Sequence, residues 1–219
     1  MTSLQLADKD FPVMHFEDAT DHALQIMQIR TCNFLPVVEN GIFKGMIGKS
    51  VLLQQAKEEK ISSVAEELIP AAVNGSTHFL ESASVANLYR TDVIPVINES
   101  SEYLGCVTHI DLVDALSRFC GAGEYGTLIV LAIEKSKLNF SELNSIIESD
   151  GATMLHFNMS PIAASPVMEV TIGLDKKEIS TILASLARYN YKVLFSTGED
   201  VLESELSDNY LNLMNYLDI

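Results

Sequence analysis

Three polar residues near the middle of the chain have the types and spacing of a small-ligand contact. Thr108 and His109 follow an apolar run that predicts a buried strand, and Asp111 opens an apolar-periodic stretch that predicts a helix ending at Phe119. A hydroxyl and a carboxylate three residues apart at such a junction would point the same way out of a sheet. The helix N-terminus beside them offers unpaired N–H groups and a positive dipole end. Such a corner could hold a phosphate and a sugar hydroxyl together.

Two strands must position this corner. The apolar run 93–97, the polar turn 98–102 and a second apolar run, 103–107, predict a β-hairpin that ends at the corner. Helix capping explains the same residues, because Asp111 in a first turn is favoured by the helix dipole and Thr108 can serve as an N-cap. Ligand binding and capping both remain open on this pattern.

An earlier part of the chain repeats the same order. The segment Leu-Pro-Val-Val at 35–38 matches Ile-Pro-Val-Ile 59 residues later, and Gly-Met-Ile-Gly at 45–48 matches Gly-Cys-Val-Thr 60 residues later. Asn40-Gly41 between them is a strong hairpin-turn signal. Two copies with a period near 60 indicate an internal duplication and not a solenoid. In the first copy we expect Thr20 to cap a helix, and a further helix over about residues 49–60.

This order, with Gly-h-h-Thr-x-x-Asp (h, apolar) after an h-Pro-Val-h strand, resembles a CBS (cystathionine-β-synthase) domain pair, or Bateman module. The resemblance covers roughly residues 1–120, with repeats at 1–60 and 61–120. It implies that the repeats pack by their sheets and form two clefts for adenosine-containing ligands. No cofactor is required; AMP, ADP, ATP or S-adenosylmethionine are the regulatory ligands that it suggests.

The resemblance also assigns roles to individual residues of the second repeat. Asp111 would accept hydrogen bonds from ribose hydroxyls, and Thr108 would contact phosphate. His109 would add a cationic or donor contact. Main-chain and apolar contacts to the adenine would come from three successive residues, Val93, Ile94 and Pro95.

The first repeat departs from this pattern. Gly48 and Val51 stand where the second repeat has Thr108 and Asp111. Valine cannot hydrogen-bond a ribose, and Lys49 and Ser50 are weak phosphate contacts without the carboxylate. We therefore expect at most one site of this kind in each chain.

A glycine-rich segment, 121–126, separates two halves of the chain. Its Gly-x-Gly-x-x-Gly letters match a dinucleotide-binding fingerprint, but that motif requires a preceding strand and a following helix. Here a helix precedes and the apolar run 128–133 follows, so we interpret the segment as a linker.

The second half, 127–198, predicts the order βαββαβ of a ferredoxin-like unit. Asn139-x-x-Glu142 resembles a capping box, and we expect a second helix to start at Asp175-x-x-Glu178. Such a unit after a CBS pair resembles an ACT domain, a family that binds amino acids or dimerises. The turn after its first strand, 134–139, lacks the glycine usual in the effector site, which favours dimerisation over amino-acid sensing. The expected fold class is therefore α/β (α+β): a CBS pair of two small sheets with flanking helices, then an ACT-like domain.

Residues 199–219 predict an acidic amphipathic helix with six acids and no Lys or Arg. Without cations it is a poor membrane-surface helix, so packing on its own protein or on a dimer mate is the expectation. The whole layout is similar to bacterial CBS–ACT proteins of the acetoin-utilisation type.

Composition excludes several classes of function. The net charge of −16 leaves no basic half for nucleic acid or an anionic membrane. No apolar run approaches the roughly 20 residues that span a bilayer. The start of the chain lacks a secretory pattern. The three cysteines are widely spaced in apolar surroundings. A cytoplasmic location is expected.

No catalytic constellation is found: the sequence has no Gly-x-Ser-x-Gly, His-Glu-x-x-His or Cys-x-x-Cys motif, and its five histidines lack metal-ligand spacing. The leading hypothesis is a non-enzymatic regulatory protein, expected to form a homodimer, that binds an adenosine-containing ligand at the second repeat. The alternative is a dimerisation or interaction protein whose CBS and ACT-like sites bind no ligand.

Overall fold

The structure is a computed structural model that describes residues 1–56 and 58–197. The chain divides into two compact units, Met1–Ser117 and a second that begins at Arg118. Up to Phe119 the α-helices and strands are, in chain order, α1 Ser3–Leu6, α2 Thr20–Arg30, β1 Phe34–Glu39, β2 Ile42–Gly48, α3 Lys49–Leu52, β3 Val73–Asn74, α4 Phe79–Tyr89, β4 Val93–Ile97, β5 Tyr103–Thr108 and α5 His109–Phe119. The second unit adds β6 Thr127–Glu134, α6 Phe140–Ser149, β7 Met154–Pro161, β8 Val167–Leu174, α7 Ser180–Arg188 and β9 Lys192–Ser196. The expected mixed α/β fold is confirmed.

The duplication in the sequence is a duplication in space. Strands β1 and β2 form one antiparallel hairpin, and β4 and β5 form the matching one. Each hairpin has a short parallel neighbour on its first strand: Met14 bridges Val37 of β1, and Val73 of β3 pairs with Val96 of β4. Asn40 and Gly41 both have positive φ in the first turn, as the Asn-Gly pair predicts.

The two repeats exchange their leading segments. Asp8, near the start of the first repeat, exchanges two backbone hydrogen bonds with Cys106 in β5 of the second, at 2.7 and 2.9 Å. Ile69, near the start of the second repeat, makes the same exchange with Met46 in β2 of the first, at 2.8 and 3.0 Å. Each hairpin is therefore bordered by the leading segment of the other repeat, so neither repeat is complete without the other.

This exchange explains the glycine of the repeated motif. Gly45 has φ +149°, and a Cβ at that position would lie 2.7 Å from Leu68 Cβ. Gly105 has φ +141°, and a Cβ there would lie 2.7 Å from the carbonyl oxygen of Asp8. A side chain at either position would therefore require the exchanged segment to shift away from the strand.

The cores of the two repeats are also joined. The larger cluster is built mostly from the first repeat, yet it includes Val93 and Cys106 of the second hairpin. Ile94, the next residue along β4, packs into a separate cluster with Phe79 and Leu112. The alternation along β4 thus places one side chain in each core, as a strand buried on both faces requires.

The predicted helix over residues 49–60 is wrong. Helix α3 covers only Lys49–Leu52, and the chain then turns so that the Ala56 carbonyl accepts a hydrogen bond from the Thr20 hydroxyl at 2.9 Å. Thr20 is correspondingly not the N-cap of α2: it is the first helical residue, and Ala19 occupies the cap position. The Thr20 hydroxyl, which the local sequence pattern assigned to capping, makes a tertiary hydrogen bond instead.

The second unit has the expected βαββαβ order. Its sheet runs β7-β8-β6-β9 with antiparallel neighbours, and the buried positions of β6 alternate along the strand. Asn139 caps α6 as predicted, with its side-chain oxygen accepting from the Glu142 N–H at 3.2 Å. This arrangement is the ferredoxin-like topology.

Helix α7 begins at Ser180, later than predicted. Asp175 does not cap it, because the Asp175 carboxylate accepts a hydrogen bond from the Thr153 N–H at 2.7 Å beside the start of β7. The two hydrogen bonds from Thr153 hold the pKa of Asp175 below its usual value. The amphipathic segment 199–219 lies outside the described residues. Among the helices that the structure describes, none combines the length and the apolar character needed to cross a membrane.

The cysteines give a direct test of this packing. Cys32 and Cys106 are buried, whereas Cys120 is partly exposed. Burial raises the pKa of Cys106 to about 12 and also raises that of Cys32, so at pH 8 neither thiol forms much reactive thiolate. We expect a thiol reagent such as Ellman's to label about one cysteine in the native chain and all three in denaturant. Rapid native labelling of all three would contradict the described core.

Candidate ligand corner in the second repeat

The candidate site lies where the hairpin β4–β5 meets α5. Val93, the first residue of β4, is directly opposite Thr108, the last residue of β5, in the strand register. Helix α5 starts at the next residue, His109, which places Asp111 in its first turn. The structure therefore brings Val93, Thr108 and Asp111 together, as the sequence pattern predicts.

Asp111 and Thr108 are hydrogen-bonded to each other. The Thr108 N–H and hydroxyl donate to Asp111 Oδ2 at 2.9 and 2.6 Å, and the Asp111 N–H donates back to the Thr108 hydroxyl at 3.3 Å. These bonds satisfy a backbone donor at the start of α5, so the capping role is real. They engage one carboxylate oxygen only: among the described residues Asp111 Oδ1 accepts no hydrogen bond.

His109 is turned back toward the start of β4. Its Nε2 lies 2.9 Å from the Thr91 carbonyl oxygen, and because a carbonyl only accepts, Nε2 is the donor. Its own N–H donates to the Asp92 carbonyl at 3.1 Å. His109 therefore fixes the strand–helix junction, and its Nε2 is already engaged in this arrangement.

The three residues expected to contact adenine are buried. Val93 and Ile94 are 1% and 0% exposed, and Pro95 is buried in the same strand. Their side chains belong to the core, so any contact that Val93 or Ile94 makes with a ligand at this strand would come from the main chain. The adenine contact stays a prediction.

The equivalent corner of the first repeat is filled by its own chain. Phe34 stands where the second repeat has Val93, and its ring lies against Gly48, which stands where Thr108 does. A Cβ on Gly48 would be 3.1 Å from Phe34 Cε1. Val51 replaces the carboxylate, so this corner has no carboxylate acceptor, and the Phe34 ring lies where a side chain on residue 48 would extend.

Two residues that the sequence pattern missed join the corners. Asp92, just before β4, accepts two hydrogen bonds at its Oδ2 from Asn33, just before β1: 2.7 Å from the Asn33 N–H and 2.9 Å from its side-chain amide. Asn33 and Asp92 are equivalent positions, 59 residues apart. The alignment of the repeats pairs them, but only a structure shows that they touch.

Charges of both signs lie around the junction. Burial and then the negative charge of Asp92 raise the pKa of Cys32, while Arg30 and Lys49 act against the increase. Within residues 1–56 and 58–197, no group of three or more His, Cys, Asp or Glu side chains is placed to hold a metal ion.

In the second unit, the segment after β6 is a short 3₁₀ turn, Lys135–Lys137, held by an exposed Lys137–Glu134 ion pair. A shallow groove lies instead between α6 and α7, lined by Glu142 and Arg188 among others. The Tyr191 hydroxyl donates a hydrogen bond to Glu142 Oε1 at 2.6 Å, so one of the two carboxylate oxygens is already engaged. The amino-acid-binding role suggested by the ACT resemblance stays a prediction.

Solved structures similar to this chain are CBS-domain pair proteins. A CBS domain pair/ACT domain protein from Thermotoga maritima has 20% identity and a TM-score of 0.49 over 54% of this chain and 98% of its own. A protein proposed to act in acetoin utilization, AcuB from Vibrio cholerae, has 16% identity and a TM-score of 0.46 over 54% and 92%. CBSX2, solved in complex with AMP, has 17% identity and a TM-score of 0.45 over 54% and 97%.

No protein-family model matches the sequence, and no curated protein matches it. The similarities therefore come from solved structures alone, and they cover about half of the chain. The resemblance of the second unit to an ACT domain rests on its own topology.

The filled first corner predicts a specific stability coupling. Gly48 has ordinary extended geometry, φ −93° and ψ 145°, so Gly48→Thr would not strain the backbone. It would press on Phe34, and we expect a loss of about 1–3 kcal/mol in the free energy of unfolding. In Phe34→Val/Gly48→Thr, most of the Gly48→Thr penalty should disappear, because the smaller residue leaves room. Urea denaturation of the two single variants and the double variant measures this; strictly additive effects would contradict the packing.

Proposed function

We propose that this chain is a non-enzymatic regulatory protein that binds an adenosine-containing ligand at the corner formed by β4, β5 and α5. Asp111 accepts a ribose hydroxyl, Thr108 contacts the phosphate or its equivalent, and the main chain at Val93, Ile94 and Pro95 faces the base. His109 holds the start of α5 in position for these contacts. The proposal rests on this chain's own residues and on the resemblance of its repeat to a CBS pair.

The observation that supports it most directly is the divided use of the Asp111 carboxylate. Oδ2 is held by two hydrogen bonds from Thr108, which fixes the direction of the group, and Oδ1 accepts none from the described residues. Asp111 is partly exposed. An oriented acceptor with one open oxygen beside a helix N-terminus is suited to a ligand that carries hydroxyls and an anionic group.

Only the second repeat supports this function. In the first repeat Phe34 packs against Gly48, and Val51 offers no acceptor. One ligand per chain is the resulting stoichiometry. Regulation follows if the ligand prefers one of two arrangements of the protein, because a ligand shifts an equilibrium only through a difference in affinity.

Calorimetric titration with AMP, ADP, ATP and S-adenosylmethionine tests the proposal. We expect at least one of these to bind the wild type at submillimolar concentration with about one site per chain. Asp111→Ala should weaken that ligand at least tenfold, because the ribose acceptor is lost. Val51→Ala, at the equivalent position of the first repeat, is the matched control and should bind like the wild type.

A capping role and a ligand-binding role of Asp111 are distinguished by comparing the melting temperature of Asp111→Ala with the calorimetric titration of the wild type. If Asp111→Ala lowers the melting temperature while no adenosine compound binds the wild type, Asp111 only caps α5 and the proposed ligand function fails. If Val51→Ala weakened ligand binding as much as Asp111→Ala does, the site would not lie in the second repeat alone and the proposed location would be wrong.

A second candidate function, assembly of a homodimer, is favoured by a different observation. Exposed apolar side chains occupy equivalent positions of the two repeats: Ile29 on α2 and Leu88 on α4 are 79% and 72% exposed, and Leu53 after α3 and Val113 on α5 are 65% and 66% exposed. Apolar side chains repeated with an internal two-fold relation suit an isologous contact with a second copy of the chain. As the sole function, this would make the protein a ligand-free interaction module.

Light scattering combined with size-exclusion chromatography measures the assembly. We expect a wild-type dimer whose affinity increases with salt, since two chains of net charge −16 repel each other. Leu88→Glu/Val113→Glu should be monomeric. Leu80→Glu, on the same helix but equivalent to Asp21 in the first repeat, is the control and should remain a dimer.

A wild type that is monomeric at tens of micromolar in high salt would contradict the homodimer. A stable dimer whose melting temperature is unchanged by every adenosine compound would favour the ligand-free module over the sensor.

A further inference from the structure

The contact between Asn33 and Asp92 joins the two strand–helix corners of the first unit. Each of the two residues directly precedes the first strand of its hairpin, and each receives the first N–H of the helix that follows that hairpin. The Asn33 carbonyl accepts from the Lys49 N–H at 2.8 Å, and the Asp92 carbonyl accepts from the His109 N–H at 3.1 Å. The backbone carbonyls of Asn33 and Asp92 therefore have the same role in the two repeats.

The side chains of Asn33 and Asp92 have different roles. Asp92 reaches across to Asn33 and binds both its N–H and its side-chain amide. One residue of the second repeat thus holds the start of α5 through its carbonyl and the start of β1 through its carboxylate. A displacement of α5 at one end would be passed to Asn33 at the other.

The Asp92 carboxylate is not fully satisfied in this arrangement. Both hydrogen bonds from Asn33 go to Oδ2, whereas Oδ1 is buried and has no hydrogen-bond partner in the described part of the chain. Buried polar groups of proteins are nearly always paired, so a carboxylate oxygen without a partner marks a position that a different local arrangement would stabilise.

We propose that Asp92 is a positioning residue that couples the ligand corner of the second repeat to the first repeat through Asn33. It touches no ligand. It holds the N-terminal turn of α5, and therefore Asp111, in a position that depends on the first repeat. The inference extends the proposed function, because the coupling sets how strongly the second-repeat corner binds its ligand.

The coupling has a readout that needs no ligand. In ¹H–¹⁵N correlation spectra of the full chain, Asn33→Ala should shift the His109 and Asp111 amide signals, although residue 33 belongs to the other repeat. Gln28→Ala, which also truncates an exposed amide side chain of the first repeat, is the control and should leave both signals in place.

The second readout is the affinity for AMP. We expect Asn33→Ala to change the dissociation constant about three- to tenfold, the usual size of such couplings, and Gln28→Ala to leave it within twofold. If AMP binds and Asn33→Ala leaves its affinity unchanged, the coupling is wrong, whatever the spectra show. If AMP does not bind the wild type, the proposed ligand fails and the amide shifts alone decide the coupling. Unmoved His109 and Asp111 signals would then overturn it.

Discussion

The close approach of backbone to backbone at Gly45 and Gly105 is the constraint on which the first unit depends. Each glycine lets the leading segment of the other repeat lie on its hairpin, and paired backbone hydrogen bonds secure both contacts. Because these bonds replace unpaired edge groups, each repeat stabilises the other.

Equivalent backbones then carry different side chains. In the second repeat, a small strand residue and a polar helix start leave an oriented carboxylate with one open oxygen. In the first, an aromatic ring at Phe34 packs where Gly48 has no side chain. The two differences compensate each other sterically, since a phenyl ring and a threonine would compete for the same space. In the first repeat the missing polar groups and the filled corner therefore belong together.

Much of the fold was predictable from local signals. The Asn40-Gly41 turn, the Asn139 cap and the matching hairpins follow from residue types that favour one geometry. The errors occur where tertiary contacts take a side chain that the local pattern assigned to capping: Thr20 binds the Ala56 carbonyl, and Asp175 binds the Thr153 N–H. The segment exchange, the Phe34 contact and the Asn33–Asp92 pair are contacts between distant parts of the sequence, and no periodicity encodes them. The position of Thr108 and Asp111 was predictable because three residues at one junction determine it.

A crystal structure of the full chain grown with AMP is the most direct test of the central claim. The account predicts nucleotide at the second-repeat corner, with a ribose hydroxyl on Asp111 and Phe34 still packed on Gly48 in the first repeat. Nucleotide bound beside Gly48 and Val51 with Phe34 displaced, or neither corner occupied at saturating AMP, would contradict it.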